Sequence, residues 1–581
     1  MTTLSSIRRT IDLATGVGTT TYATAAELPT SGLTAGDQAF ITSTGRLYIS
    51  NSNGWYNIAL INQAPYWIEQ PDGSYTLSTT GLSTVITILA SDSDSTAPSY
   101  TATADSDFNQ IATITTDSEG ADGTRFIVTP IDSENGTAIA GSGTVTFIAT
   151  DGINQASVVS TFSLSFVPDW TVAPTESKLT ASDGAQYDQL GYGVAISGDG
   201  AYAIAGAWGE DGGAGDPYIN AGAAYVYTKS GSTWTEQTIL TASDPGVGDQ
   251  FGNKLDINSD GTYAIVCAPR EAGGAGDPLA NAGAAYIFTR SGSTWTQQAK
   301  LVSSDLQAND YFGISVSINS DATYAIVGAY LEDGGAGDPL DAAGAAYIFT
   351  RSGSTWTQQA KLTASDAQII DHFGYSVSIS GDGSYVIVGA KTEDGGAGNP
   401  IENAGAAYIF TRSGSTWTEQ TILRAPDATL FNNFGRAVDI NSDGTYVVVG
   451  SPYENTVADL SGAAYIFTRS GSTWTQQAKI KASDAAYNDW FGESLAINPS
   501  ATVAVIGALN NNGERGAAYV FTRSGSTWTQ ERKITASDGA QYDHLGNSVS
   551  MSSNGAKVIV GAHDDDDDGV SSGAAYIYEA G

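Results

Sequence analysis

Short runs of apolar, β-branched and aromatic residues alternate with Gly, Asp, Asn and Ser along most of the chain. One representative stretch predicts four strands, at Phe373–Ser380, Ser384–Ala390, Gly405–Ser413 and Ser415–Leu423. The connections after the first and third of these are short enough for hairpins. Because no stretch shows the 3.6-residue period of an amphipathic helix, the pattern predicts an all-β protein.

This four-strand unit recurs along the C-terminal two thirds of the chain. Each copy carries an F-G or L-G pair, whose glycines are Gly191, Gly252, Gly313, Gly374, Gly435, Gly492 and Gly546. Each also has a tryptophan, at Trp170, Trp234, Trp295, Trp356, Trp417, Trp474 and Trp528. Radial repetition of four antiparallel strands is typical of propellers, so we predict a seven-bladed β-propeller over residues 169–581.

The two ends of the repeat region are complementary. The last unit stops after its third strand, at Ala574–Gly581, whereas Asp169–Asp183 matches a fourth strand. We therefore expect strand 170–179 to complete the last blade. Closing the ring in this way removes the exposed strand edges of an open array.

The N-terminal third predicts two further β modules. Residues 1–64 form a small module with three short strands within Gly36–Asn62. Residues 65–168 contain alternating segments at the spacing of an Ig-like or cadherin-like β-sandwich. Pro65 and Pro168 mark the boundaries.

Charge and composition exclude several functions. The formal net charge of −38 would repel nucleic acid, and no apolar run of about 18 residues predicts membrane insertion. The single cysteine, Cys267, allows no intramolecular disulfide. Three histidines, His372, His544 and His563, are interpreted as too scattered for a zinc site, and the run Asp564–Asp568 as a solvated cluster.

The F-G pair, the VGA strand end and the AAYIF strand resemble FG-GAP repeats, which occur in integrin alpha-chain propellers and in many bacterial and phage surface proteins. The resemblance covers about 410 residues and implies the propeller fold. It implies little about function, because the same blades serve adhesion, display and scaffold roles.

FG-GAP blades often hold calcium in a D-x-[DN]-x-D-G loop, and the resemblance therefore implies two candidate loops of sequence DINSDG. Their candidate ligands are Asp256, Asn258 and Asp260, and Asp439, Asn441 and Asp443. The family's further acidic position is Ala264 in one loop and Val447 in the other, so we expect at most weak Ca²⁺ binding and no required cofactor. A hairpin turn stabilised by Asn and Asp side chains accounts for the same residues.

Most of residues 20–167 resembles virion structural proteins of marine phages, particularly cyanophages. The resemblance rests on the TAGDQAF, GWYNIALIN and FIATDGINQASVVSTFSLSF segments. The first 18 residues contain no apolar signal-peptide core, which also favours a virion over a secreted protein. We expect the N-terminal modules to contact other virion proteins on an extracellular particle.

Loops on opposite faces of the predicted propeller differ in how much they vary. The RSGST turns are nearly constant, whereas the loops between second and third strands and those that follow the ASD triplet differ among units. Loops on a rigid scaffold often carry recognition. Candidate contacts to a host-surface glycan or protein are Trp208, Tyr330, Tyr453 and Trp490. Solvated connectors under no constraint are the alternative.

No nucleophile–base, P-loop or metalloprotease motif occurs, so we predict a non-enzymatic protein. An aspartate recurs two residues before the F-G or L-G pair in six units, which indicates a turn cap in each blade rather than one active site. The predicted function is a tail fibre, appendage or capsid decoration that displays the propeller for host attachment. A bacterial cell-surface adhesin and a glycan-depolymerising fibre enzyme are the alternatives.

Overall fold

The computed structural model of the chain separates into two compact units, Met1–Phe166 and Val167–Gly581. The structure describes residues 19–34, 37–43, 46–50, 53–60, 64–76, 83–92, 98–105, 108–117, 124–130, 141–150, 154–164, 168–211, 218–272, 279–333, 340–396 and 401–580. No helix among these residues is long and apolar enough to cross a membrane.

The N-terminal unit begins with a four-stranded sheet. Its strands, in order, are Thr19–Tyr22, Gln38–Ile41, Arg46–Ser50 and Trp55–Leu60, with a 3-10 helix at Ala25–Glu27. The first pair is parallel and the others are antiparallel. The last three strands lie in the segment where three were predicted, and the first is an addition.

Among the described residues, the rest of this unit contains three sheets and one short helix. The three-stranded sheet contains, in order, Ala112–Thr116, Arg125–Pro130 and Thr84–Thr87. The four-stranded sheet contains, in order, Ser74–Thr76, Gln155–Leu164, Gly141–Thr150 and Ser99–Ala104. The third sheet pairs Tyr66–Glu69 with Leu89–Ser91, and the helix is Phe108–Ile111. Phe126 of the three-stranded sheet and Phe147 of the four-stranded sheet meet in a common core, with ring centroids 5.4 Å apart. The assignment to an Ig-like or cadherin-like family stays a prediction.

The C-terminal unit is a seven-bladed β-propeller. In the described residues each blade is a four-stranded antiparallel sheet whose first strand is innermost. The strands are, for blade 1, Leu190–Ile196, Tyr202–Ala207, Ala223–Ser230 and Thr233–Leu240; for blade 2, Leu255–Ile257, Tyr263–Ala268, Ala284–Ser291 and Thr294–Leu301; for blade 3, Ser315–Ile318, Tyr324–Ala329, Ala345–Ser352 and Thr355–Leu362; for blade 4, Phe373–Ile379, Tyr385–Ala390, Ala406–Ser413 and Thr416–Leu423; for blade 5, Val438–Ile440, Tyr446–Ser451, Ala463–Ser470 and Thr473–Ile480; for blade 6, Leu495–Ile497, Val503–Ala508, Ala517–Ser524 and Thr527–Ile534; and for blade 7, Val549–Met551, Lys557–Ala562, Ala574–Glu579 and Thr175–Leu179. A short helix, Asn511–Glu514, connects the middle strands of blade 6.

Blade 7 takes its outer strand from the start of the propeller. Thr175–Leu179 pairs antiparallel with Ala574–Glu579, so the two ends of the repeat region share one sheet. Trp170 precedes this strand in a turn and is only 1% exposed. Its Nε1 donates to the carbonyl of Gly555 at 3.1 Å, which ties the segment to blade 7.

The apolar core lies between adjacent blades. Val226 of blade 1 and Val266 and Tyr286 of blade 2, for example, belong to one buried cluster. The repeat glycine permits this close approach. Gly252 has φ of +90°, and a Cβ there would lie 2.2 Å from the carbonyl oxygen of Ala223 in blade 1.

Half-buried arginine and tyrosine side chains also join neighbouring blades, and the contact repeats around the ring. The guanidinium of Arg290, in the third strand of blade 2, lies 4.0 Å from the ring centroid of Tyr202 in blade 1. The same Arg–Tyr contact recurs as Arg351–Tyr263, Arg412–Tyr324, Arg469–Tyr385 and Arg523–Tyr446. In each pair the arginine guanidinium lies over the tyrosine ring of the preceding blade and makes a cation–π contact with it.

Candidate functional site

The two ends of the central channel differ in size and lining. At the end formed by the turns between first and second strands, the cavity has about 160 Å³ and is lined by a ring of isoleucines with Met551 and by a ring of Ser, Gly and Pro. The backbone N–H of Ser259 donates to Ser320, and that of Ser320 to Gly381, so neighbouring blades are joined there by main-chain bonds. This end is narrow and nearly uniform around the ring.

The opposite end, which we call the loop-face cavity, has a volume of about 690 Å³. Its wall includes the residue that follows the repeat glycine in every blade: Tyr192, Asn253, Ile314, Tyr375, Arg436, Glu493 and Asn547. These positions differ widely although the surrounding units are nearly identical. The sequence analysis missed them, and variation directly beside an invariant glycine was the signal that could have revealed them.

Two more variable positions lie at the same end of the channel. One precedes the F-G or L-G pair, and the other follows the second strand of each blade. Trp490 and His544 at the first position, and Leu509 and His563 at the second, line the loop-face cavity. Blade-to-blade differences therefore concentrate at one mouth of the channel.

Cations and aromatic rings alternate in the wall of the loop-face cavity. The Lys254 ammonium lies 4.9 Å from the Tyr192 ring centroid. The Tyr375 ring lies between two cations, with Lys391 at 3.4 Å and Arg436 at 4.8 Å from its centroid. Such contacts hold positive charge next to a flat apolar surface.

Burial controls the charge of these groups. It lowers the pKa of Lys254 to about 8 and that of Lys391 to about 7. Arg436 keeps its charge because Glu493 accepts hydrogen bonds from Arg436 Nε at 3.0 and 3.1 Å, and its pKa is raised by Glu493 despite burial. The cavity wall therefore holds the Arg436–Glu493 ion pair and Lys254, and Lys391 lies beside Tyr375 of the wall.

The four aromatic candidates from the sequence lie around this cavity, and all are half-buried. Trp208 contacts Tyr192, with ring centroids 6.0 Å apart, and Tyr330 contacts Tyr375 at 5.5 Å. Tyr453 and Trp490 contact each other at 5.1 Å, and Trp490 lines the cavity wall. Trp208 and Tyr330 thus do not line the cavity themselves, but each contacts a tyrosine that does.

In the first DINSDG loop the candidate ligands already bond to protein groups. Asp256 accepts hydrogen bonds from the backbone N–H of Ile257 and of Ile318 in the next blade, both at 2.8 Å. Asp260 accepts from Asn258 Nδ2 at 2.9 Å and from the backbone N–H of Thr262 at 3.0 Å. Asn258 Oδ1 in turn accepts from the Thr262 and Tyr263 N–H groups.

The second DINSDG loop is arranged in the same way. Asp439 accepts from the N–H of Ile497 in the next blade at 2.8 Å, and Asn441 Nδ2 donates to Asp443 at 2.9 Å. Burial raises the pKa of Asp256 to about 7 and that of Asp439 to about 6. In both loops the carboxylates stabilise turns and neighbouring blades, and calcium binding stays a prediction.

The recurrent aspartates before the repeat glycine cap turns, as predicted. Each accepts a hydrogen bond from the backbone N–H three residues earlier; the residues are Asp188, Asp249, Asp310, Asp371, Asp489 and Asp543. In blade 5 the position is Asn432, which accepts from the Thr429 hydroxyl.

One expectation about blade 7 is wrong and another holds only in part. His544 and His563 are not scattered: their rings stack with centroids 5.5 Å apart, and both contact Asp564. In the run Asp564–Asp568 the last three residues are exposed as expected, whereas Asp565 is 2% exposed and bonds to Lys178 and Tyr576. The error arose because the histidines are 19 residues apart, whereas the antiparallel pairing of the first two strands brings the ends of the two segments together.

Comparisons with known proteins agree with this geometry. The profile of the FG-GAP repeat matches residues 174–227, 234–288, 295–349, 356–410, 417–467, 474–521 and 528–578, together more than half of the chain.

Similar solved structures include the hydrazine synthase of Kuenenia stuttgartiensis, at 12% identity and a TM-score of 0.42, covering 65% of this chain and 94% of that one. The RRP9 WD40 repeats match at 8% identity with a TM-score of 0.43, covering 70% and 99%. A GH74 xyloglucanase from Xanthomonas campestris matches at 14% identity with a TM-score of 0.41, covering 66% and 52%. Enzymes are thus among these neighbours, and FG-GAP repeats alone do not indicate catalysis.

Proposed function

Since the chain belongs to the FG-GAP repeat family and its blades differ mainly at one mouth of the channel, we propose that it is a recognition protein that binds its partner at the loop-face cavity. The observation that carries this proposal is the convergence of three variable positions on that mouth. The residues that hold the blades together are the same in each repeat. The residues at the cavity can therefore differ among blades without disturbing the fold, and they can determine which partner is bound.

The composition of the cavity favours a glycan as the partner. Half-buried tyrosine and tryptophan rings offer flat apolar faces to sugar rings, while Asn253, Asn547 and Lys254 offer polar groups to hydroxyls. The Arg436–Glu493 pair adds two fixed charges within the same wall. A protein patch carrying exposed hydroxyls is the alternative occupant.

We place this recognition on a virion, as a tail fibre, appendage or capsid decoration. Support comes from the resemblance of residues 20–167 to marine phage structural proteins, which also supports attachment to other virion proteins through the N-terminal modules. A bacterial surface adhesin would use the same propeller in the same way.

We propose binding without catalysis. Glycan depolymerisation generally needs two carboxyl groups that are free to act as acid and as base or nucleophile. Two glutamates line the cavity: Glu493 is held by hydrogen bonds to Arg436, and Glu514 Oε2 lies 3.9 Å from His544 Nε2. This arrangement suits a fixed binding contact better than proton transfer.

Binding to an array of bacterial surface polysaccharides tests the proposed face. Trp208→Ala combined with Tyr330→Ala should weaken binding by about tenfold or more, because aromatic anchors carry much of such energy. Ser293→Trp combined with Ser354→Trp, in exposed RSGST turns, should leave binding unchanged. Equal losses from both pairs, or loss only from the turn variants, would place the binding face on the other side.

A further inference from the structure

Blade 7 contains a cluster of two imidazoles and a carboxylate that the proposed recognition does not require. His544 Nδ1 lies 2.9 Å from Asp564 Oδ2, and His563 Nε2 lies 3.1 Å from the same oxygen. These two ring nitrogens and the carboxylate oxygen all lie within 4.8 Å of one another. The His544 and His563 side chains also line the loop-face cavity.

These residue types match the ligand preferences of transition-metal ions. Imidazole nitrogen suits Zn²⁺, Cu²⁺, Ni²⁺ and Fe²⁺, and two histidines with one carboxylate form a recurrent three-ligand set with open positions. Ca²⁺ and Mg²⁺ prefer oxygen ligands alone. The composition of the cluster therefore selects a transition metal over calcium.

The surroundings of the cluster also favour a cation. The other ring nitrogen of His544, Nε2, lies 3.9 Å from Glu514 Oε2, so a proton on Nε2 would face a carboxylate and leave Nδ1 free to coordinate.

Blade 4 provides an internal comparison at the same positions of the fold. There His372 occupies the position of His544, and Lys391 and Thr392 occupy those of His563 and Asp564. His372 Nδ1 bonds to the Thr392 hydroxyl at 2.8 Å, and an ammonium replaces the second imidazole. Blade 4 thus keeps one histidine but lacks the other two ligands.

From these observations we propose that His544, His563 and Asp564 form a site for a divalent transition-metal ion, of the Zn²⁺ class, at the rim of the loop-face cavity. Three protein ligands leave at least one coordination position open. Because both histidines line the cavity, the site would lie in its wall.

Isothermal titration of the full chain with Zn²⁺ tests the site, using untagged protein freed of metal by a chelator. We expect one Zn²⁺ per chain with micromolar or tighter affinity, and no displacement by a tenfold excess of Ca²⁺. His544→Ala, His563→Ala and Asp564→Asn should each weaken binding at least tenfold, while the matched control His372→Ala should bind as the unaltered protein does. Failure of the unaltered protein to bind Zn²⁺, or equal affinity in His544→Ala, would overturn the proposal.

A second measurement needs no substitution. The electron paramagnetic resonance spectrum of one equivalent of Cu²⁺ bound to the unaltered protein should show coupling to two nitrogen nuclei. A spectrum with oxygen ligands only would refute the site even if the variants failed to fold.

Discussion

Replacing Trp170 tests how the ring is closed. The side chain is 1% exposed, packs against the buried cluster between blades 6 and 7, and donates to the Gly555 carbonyl. Its own backbone carbonyl accepts from Arg532 Nε of blade 6 at 2.8 Å. A single residue before the closing strand thus contacts both blades beside the seam.

The expected cost follows from these contacts. Trp170→Ala removes a fully buried aromatic side chain, which costs about 3–5 kcal/mol of unfolding free energy. Trp170→Phe keeps most of the apolar volume but leaves the Gly555 carbonyl without its donor, which costs about 1–3 kcal/mol. Val172→Ala, in the same segment at a position that is 51% exposed, should change stability by no more than about 0.5 kcal/mol.

Guanidinium unfolding of the full chain, followed by far-ultraviolet circular dichroism, measures the three variants. The midpoint of the propeller transition should fall in the order Val172→Ala, Trp170→Phe, Trp170→Ala. If Trp170→Ala unfolded at the same midpoint as Val172→Ala, the segment would not hold the ring closed. Deletion of residues 169–180 should expose the edge of blade 7 and cause aggregation.

Three further predictions concern pH, calcium and location. Burial raises the pKa of Asp310 and Asp371 to about 7, so the folded state binds their protons more tightly than the unfolded state. The stability that these two residues give at acidic pH is lost as pH rises through 7. The unfolding midpoint should therefore be higher at pH 5.5 than at pH 7.5. His372, whose pKa burial lowers to about 4, acts in the opposite sense, and a lower midpoint at pH 5.5 would show that it and similar groups prevail. Calorimetry should detect no Ca²⁺ binding tighter than about millimolar, because Asp256 and Asp260 are already hydrogen-bonded; micromolar binding lost in Asp260→Ala would contradict this. Immunogold labelling of intact phage particles with antibodies to this chain should decorate the particle surface, and absence of label from every particle would argue against a virion role.

The fold could be predicted because the features that specify it repeat. The repeat glycine, at or just before each first strand, is required where two blades approach closely, as at Gly252, so the number of these glycines indicates the number of blades. The missing fourth strand after Tyr578 indicated where the ring closes. Backbone constraints of this kind are visible in one sequence because seven copies carry them.

The site was only partly predictable because its members depart from the repeat. Trp208, Tyr330, Tyr453 and Trp490 were found from their loops, but Tyr192, Tyr375 and Arg436 lie within or beside strands, where a comparison of loops does not find them. In blade 4, Phe373 pairs with Ala390, so the residues just outside this pair, His372 and Lys391, become neighbours. Applying that register to blade 7 places His544 near His563, which spacing along the chain alone concealed.

The repeated Arg–Tyr contacts between blades have a consequence for how this protein can evolve. Because Arg290 meets Tyr202 as Arg351 meets Tyr263, a duplicated or exchanged blade arrives with interfaces that already fit its new neighbours. Stability is therefore inherited with the unit, whereas the residue after each repeat glycine is free to mutate. Substitutions at the mouth of the channel can therefore accumulate one blade at a time as binding targets change, while the contacts that hold the ring together stay the same.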